Sequence, residues 1–149
     1  MFGKILLPIA IGEDDVALEA IRTASTLAEA FNAQIRLINV ASPIVVGSPL
    51  AVVPQALYEQ VGVYEKSELQ RLAATINRPA EGVSSVVRVG AVYPEILAEA
   101  EEWRADLIIV GAHKPSMATY LLGSSAAAIV RHAVCTVMVV RSDKKASLL

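Results

Sequence analysis

Gly123-Ser124-Ser125 opens a stretch that reads as a helix ending near Ala133. The first N–H groups of a helix have no partner inside it, and its dipole is positive at that end. The segment therefore has the chemistry of an anion site. Glycine lets a ligand approach the main chain closely, and the two serines can add hydroxyl donors. A reading without a ligand also fits the pattern: a serine that caps the helix after a glycine turn. The polar stretch leading there from Gly111 carries His113 and Lys114. A lysine beside an anion adds a charged donor. His113 can donate to a phosphate or a ribose, or be a loop histidine with a local hydrogen bond. Other phosphate signatures, G-x-x-x-x-G-K-[ST] or G-x-G-x-x-G after the first strand, are absent.

The remaining reactive residues read more plainly. Two histidines and one cysteine exclude a disulfide framework, a multi-cysteine metal site and a histidine cluster. Cys135 reads as a small buried hydrophobe and His132 as a partner of its helix C-terminus. Asp14 and Asp15 are adjacent and so diverge on a helix, which suits them to its first turn rather than to acid–base work. Trp103 reads as a packing residue, and Glu99, Glu101 and Glu102 as a solvated helix face. No triad, metal set or acid–base pair is evident.

Short apolar runs alternate with longer periodic stretches, and these must position the glycine loop. Lys4–Ile9, Gln34–Val40, Ser85–Val89, Leu107–Gly111 and Thr136–Val140 read as strands, several of them apolar on both faces. Between them lie four helices. The first has an apolar stripe from Ala17 to Phe31 and a stop at Asn32; the second spans about Ala56 to Asn77; the third has Pro94 at its first position; the fourth follows Gly123. The order β-α-β-α-β-α-β-α-β predicts an α/β fold: a doubly wound five-stranded parallel sheet, strand order 3-2-1-4-5, with two helices on each face. Ligands of such sheets sit beyond the carboxyl ends of the strands, where the order reverses. Strand five then lies on an edge, and its uncharged Val137-Met138-Val139-Val140 invites pairing with a second copy. The apolar, proline-broken loop from Pro43 to Val53 is expected over the ligand mouth or against a second subunit.

With 149 residues, 54% of them hydrophobic, the chain fits one domain, residues 1–141, with a tail at 142–149. A net charge of −2 gives no grip on nucleic acid or on an anionic membrane. The longest uncharged stretch, Leu37–Tyr58, holds Pro43, Pro49 and Pro54, which argues against a membrane span. Glu13, Asp14 and Asp15 stand where a signal peptide would have its cleavage site, so the expected location is cytoplasmic.

Three segments together resemble the C-terminal signature of universal stress proteins: Val110-Gly111-Ala112-His113-Lys114, Leu121-Leu122-Gly123-Ser124-Ser125 and Val137-Met138-Val139-Val140-Arg141. The opening Lys4-Ile5-Leu6-Leu7-Pro8 is similar too, so the likeness runs to about Arg141. The resemblance implies a Rossmann-like, adenine-nucleotide α-hydrolase-like fold. It also implies a homodimer or higher oligomer joined through the last strand, and a regulatory role in the stress response. ATP would be held at the sheet edge, with a divalent metal only alongside it and at most slow hydrolysis. In the family motif G-x2-G-x9-G-[ST], Gly111, Gly123 and Ser124 match, whereas Lys114 replaces the second glycine and the loop is one residue short. The segment Pro8-Ile9-Ala10 matches the region near base and ribose, with Ala10 where nucleotide-binding members carry aspartate. Val40 matches a position whose backbone meets adenine. The alternative is a nucleotide-free dimeric interaction module with a small anion, or nothing, in the shortened loop. An enzyme of the wider group is a weaker reading, because no nucleophile or base is evident.

Overall fold

The computed structural model describes residues 1–42, 54–113 and 122–142. The loop from Pro43 to Val53, Lys114 and the last seven positions lie outside the described residues. The elements are β1 (Lys4–Pro8), α1 (Asp14–Phe31), β2 (Gln34–Ala41), α2 (Gln55–Ala73), β3 (Val83–Val89), α3 (Val92–Trp103), β4 (Leu107–His113), α4 (Ser124–His132) and β5 (Thr136–Ser142), with a 3-10 turn at Ala80–Gly82 before β3. The five strands form one parallel sheet in the order β3-β2-β1-β4-β5, as the alternation of elements predicts.

Side chains alternate across the sheet and fill two cores. Ile5, Leu7, Ile35, Leu37, Leu107 and Ile109 pack under α1 and α2. Leu6, Ile38 and Ile108 pack under α3 and α4 with Ile96, Ala100 and Ile129. This is why the central strands read as continuous apolar runs: both faces are covered. Helix α1 buries a row of small residues, Ala17, Ala20, Ala24 and Ala28, and so sits close to the sheet. It ends at Asn32, which takes the left-handed conformation at φ 52°.

Several boundaries differ from the pattern reading. Helix α2 ends at Ala73 rather than Asn77, and the chain then turns. Helix α3 starts at Val92, so Pro94 is its third residue; a first-turn position has no helical N–H bond to lose. Strand β5 runs on to Ser142, which is buried beside the end of β4 in register with His113.

The larger correction concerns Glu99, which is buried rather than solvated. It lies between two arginines that the sheet presents: Arg36 Nη1 of β2 reaches Oε1 at 2.7 Å, and Arg88 Nη1 of β3 reaches Oε2 at 2.7 Å. Arg88 also holds Glu95 at 2.7 Å and Glu102 at 3.2 Å. The Arg36 guanidinium lies 4.4 Å from the Trp103 ring centre, so this tryptophan adds a cation–π contact to its packing. Glu95, Glu99 and Glu102 recur at helical spacing and fasten one stripe of α3 to β2 and β3. Their helical recurrence was visible in sequence; the arginines facing them were not.

Candidate functional site

A cavity of about 570 Å³ opens at the carboxyl edge of the sheet, beyond the ends of β1, β2 and β4. Its walls come from the starts of three helices: Val16 and Ala17 of α1, Val92 and Ile96 of α3, and Ser124 and Ser125 of α4. Crossovers leave β1 and β4 in opposite directions, so their loops diverge and a crevice remains between them. Helix α4 meets it with its N-terminus. Gly123 is the cap residue, at φ −52° and ψ 150°, and no side chain caps the helix. The serine-cap reading is therefore corrected: the cap position is filled by a residue without a side chain, and Ser124 and Ser125 are already helical. Ala127 N–H donates to the Gly123 carbonyl at 2.9 Å, the first bond of the helix. The N–H groups of the first turn precede it.

Pro8, Ile9, Ala10, Val40, Gly111, Gly123, Ser124 and Ser125, all singled out in the sequence, line this one cavity. His113 is the last residue of β4, one position beyond the cavity-lining Ala112, and its side chain lies outside the described residues. Lys114 lies outside them altogether. Among the described residues no group of three or more His, Cys, Asp or Glu could hold a metal ion.

The two motif glycines differ in kind. A Cβ on Gly111 would fall 2.5 Å from Val16 Cγ1 and 3.2 Å from the Val16 carbonyl oxygen, so this glycine is where α1 crosses β4. A Cβ on Gly123 would meet nothing within 4 Å among the described residues. Gly111 is thus required by the fold, whereas no described residue crowds Gly123.

Three polar residues of the lining were missed in sequence: Glu13, Asn39 and Arg141. Glu13 follows Gly12, whose φ of +95° turns the chain between β1 and α1. Arg141 stands near the end of β5 and brings a cation to a lining that otherwise holds one acid. The signal for Asn39 was available: it is an amide set between the apolar Ile38 and Val40 in the interior of the strand. It is buried, and its Nδ2 donates to the Ile9 carbonyl at 2.9 Å.

The four residues assigned to a dimer contact, Val137 to Val140, lie on the outermost strand. Met138 and Val140 already pack against the core beneath α1, and Val137 against the other core. Each is half-buried within its own chain. Nearby Val130 and Val134 are exposed, at 49% and 96%. Cys135 lies beside a small pocket of about 70 Å³, and burial pushes its thiol above the usual range. No described helix is long and apolar enough to cross a membrane.

The chain is 30% identical over 143 residues to universal stress protein G of Shigella flexneri, covering 95% of this chain and 100% of that one. Among solved structures it is similar to universal stress protein UspA from Lactobacillus plantarum, with 22% identity, coverage of 94% and 98% and a TM-score of 0.74. A universal stress protein in complex with cAMP superposes with 21% identity, coverage of 95% and 99% and a TM-score of 0.67. A member from Arabidopsis thaliana with AMP bound gives 17% identity, coverage of 97% of this chain and 94% of that one, and a TM-score of 0.66. The model of the universal stress protein family matches residues 1–141, from β1 to the penultimate residue of β5, and the chain belongs to that family.

Proposed function

We propose that this chain binds an adenine nucleotide at the carboxyl edge of its sheet and acts through that binding rather than through turnover. The observation that carries the reading is convergence. Segments 8–10, 39–40, 110–112 and 123–125 are far apart in sequence, yet they line one cavity of about 570 Å³. That size falls in the range of small-molecule sites. The phosphates lie at the first turn of α4, where N–H groups and the helix dipole favour an anion, with Arg141 as the nearby cation. The base lies between the ends of β1 and β2, beside Ile9 and Val40. Relatives of the same fold have been solved with AMP and with cAMP, which supports the adenine class. ATP is the ligand we favour, with a divalent metal arriving only on its phosphates.

The output is regulatory, in a cytoplasmic homodimer. The outermost position of β5 and the exposed Val130 and Val134 support a dimer joined there. One observation favours a second reading, a nucleotide-free module that holds an anion or nothing: Ala10 brings no carboxylate to the cavity.

Calorimetric titration with ATP and AMP tests the choice. Wild-type protein is expected to bind, and Gly123→Val to lose binding, because its side chain fills the approach to the helix N-terminus. Absence of heat at millimolar nucleotide overturns the reading. The anion module then predicts that chloride or sulfate occupies the same N-terminus.

A further inference from the structure

Strands β1 and β2 pair in register as far as Pro8 and Ile38, and one rung follows: the Ile9 N–H donates to the Ile38 carbonyl at 2.8 Å. Along a strand, the N–H and C=O of one residue point to one side and those of the next to the other. Ile38 turns its main chain toward β1, and so does Val40. Ala41 turns its carbonyl to the opposite side, where it accepts from the Gly90 N–H at 3.1 Å. A regular ladder would therefore continue from the Val40 N–H to the Ile9 carbonyl. Among the described residues that bond is not made. The Ile9 carbonyl instead accepts from Asn39 Nδ2 at 2.9 Å.

Asn39 is 7% exposed and continues the row of Ile35 and Leu37 on the α1 side of β2. A leucine there would extend the core. The amide instead leaves a buried Oδ1 without a partner among the described residues, which is a cost to stability. Its orientation is fixed, because a carbonyl can only accept and Nδ2 must face Ile9.

We propose that Asn39 is a positioning residue for base recognition. By taking the Ile9 carbonyl it ends the β1–β2 ladder one rung early. The Val40 N–H and C=O then stay turned toward the cavity that Val40 and Asn39 both line. One donor beside one acceptor matches a ring edge with a nitrogen acceptor next to an amino group, as adenine has at N1 and its 6-amino group. With the ribose and phosphate held on the α4 side so that the base cannot turn over, it mismatches hypoxanthine, which offers N1–H and a 6-oxo group in those places. The inference rests on the nucleotide reading for its ligand, but not for its geometry.

Asn39→Leu keeps the side-chain size and removes the amide, freeing the Ile9 carbonyl to take the Val40 N–H. Two measurements on the full chain test this. In amide hydrogen exchange of the free protein, the wild-type Val40 N–H is expected to exchange at least tenfold faster than the paired residues of β2, and to slow to their rate in Asn39→Leu. In calorimetry, the preference for AMP over IMP is expected to fall at least tenfold in the variant, while affinity for ribose 5-phosphate, which has no base, stays within twofold. A wild-type Val40 N–H as protected as its paired neighbours overturns the proposal, and so does a variant that keeps the full preference. If wild-type protein binds neither nucleotide, the reading of the ligand fails. The exchange rates then decide by themselves whether Asn39 holds the ladder open.

Discussion

Replacing each motif glycine by alanine separates a residue that the fold needs from one that a ligand needs. At Gly111 the new Cβ falls 2.5 Å from Val16 Cγ1 and 3.2 Å from the Val16 carbonyl oxygen. Val16 is buried in the first turn of α1, and a β-branched side chain in a helix has one strongly preferred rotamer, so it cannot simply swing aside. The helix must lift from β4. Overpacking of this kind costs about 1–3 kcal/mol. Loss of unfolded-state freedom on replacing glycine returns about 0.4–1 kcal/mol. The net expectation is a loss of about 1–2 kcal/mol, which for a chain of this size lowers Tm by about 2–8 °C. At Gly123 the Cβ meets no described residue within 4 Å and the φ of −52° suits any residue. Gly123→Ala changes only the helix cap and should stay within about 1 kcal/mol of wild type. Urea unfolding followed by the fluorescence of Trp103, the one tryptophan, measures both. Nucleotide titration should give the reverse order, with Gly123→Ala weakened and folded Gly111→Ala less affected. A Gly111→Ala protein that unfolds with wild type, or a Gly123→Ala protein that loses more stability than Gly111→Ala, refutes the reasoning.

Glu99→Ala should destabilise the fold by about 2–3 kcal/mol. That is below the range for breaking a fully buried pair, because Arg36 and Arg88 keep side-chain exposures of 27% and 21% and water takes part. Burial pushes the Glu99 carboxyl up, but the hydrogen bonds from Arg36 and Arg88 outweigh it and hold the group below the usual range. Its contribution is therefore complete above the unfolded-state value of about 4.3 and lost as pH falls through the lower folded value. The stability difference between wild type and Glu99→Gln should be full near neutral pH and shrink as pH falls below about 4; a difference that does not shrink in acid urea titrations counts against the assignment. Ser125→Ala removes a hydroxyl that makes no cap, so thermal melting should change by less than about 0.5 kcal/mol. Val139→Lys places a charge on the outermost strand and should yield monomers in analytical ultracentrifugation; a dimer of unchanged stability would move the interface elsewhere. Ala10→Asp restores an acid at the cavity wall and should tighten adenosine binding, as read by calorimetry.

Much of this molecule follows from local pattern. Alternating apolar runs and amphipathic stretches specify five strands and four helices, and their order specifies a parallel sheet with a crevice at the carboxyl ends. Gly123, Ser124 and Ser125 marked the start of α4, because helix-terminus chemistry is local. What pattern cannot carry is which side chains meet across the sheet. Glu99 looked like one more exposed acid until β2 and β3 brought Arg36 and Arg88 to it. Glu13, Asn39 and Arg141 joined the cavity from the β1–α1 turn, β2 and β5. Gly111 and Gly123 look alike in a motif, yet one faces Val16 at contact distance and the other meets no described residue within 4 Å. Sequence determined the periodicities, since each depends on neighbours a few residues away. Only the tertiary structure decided the partners, because a salt bridge, a glycine contact or a broken ladder depends on distances between residues that the chain separates.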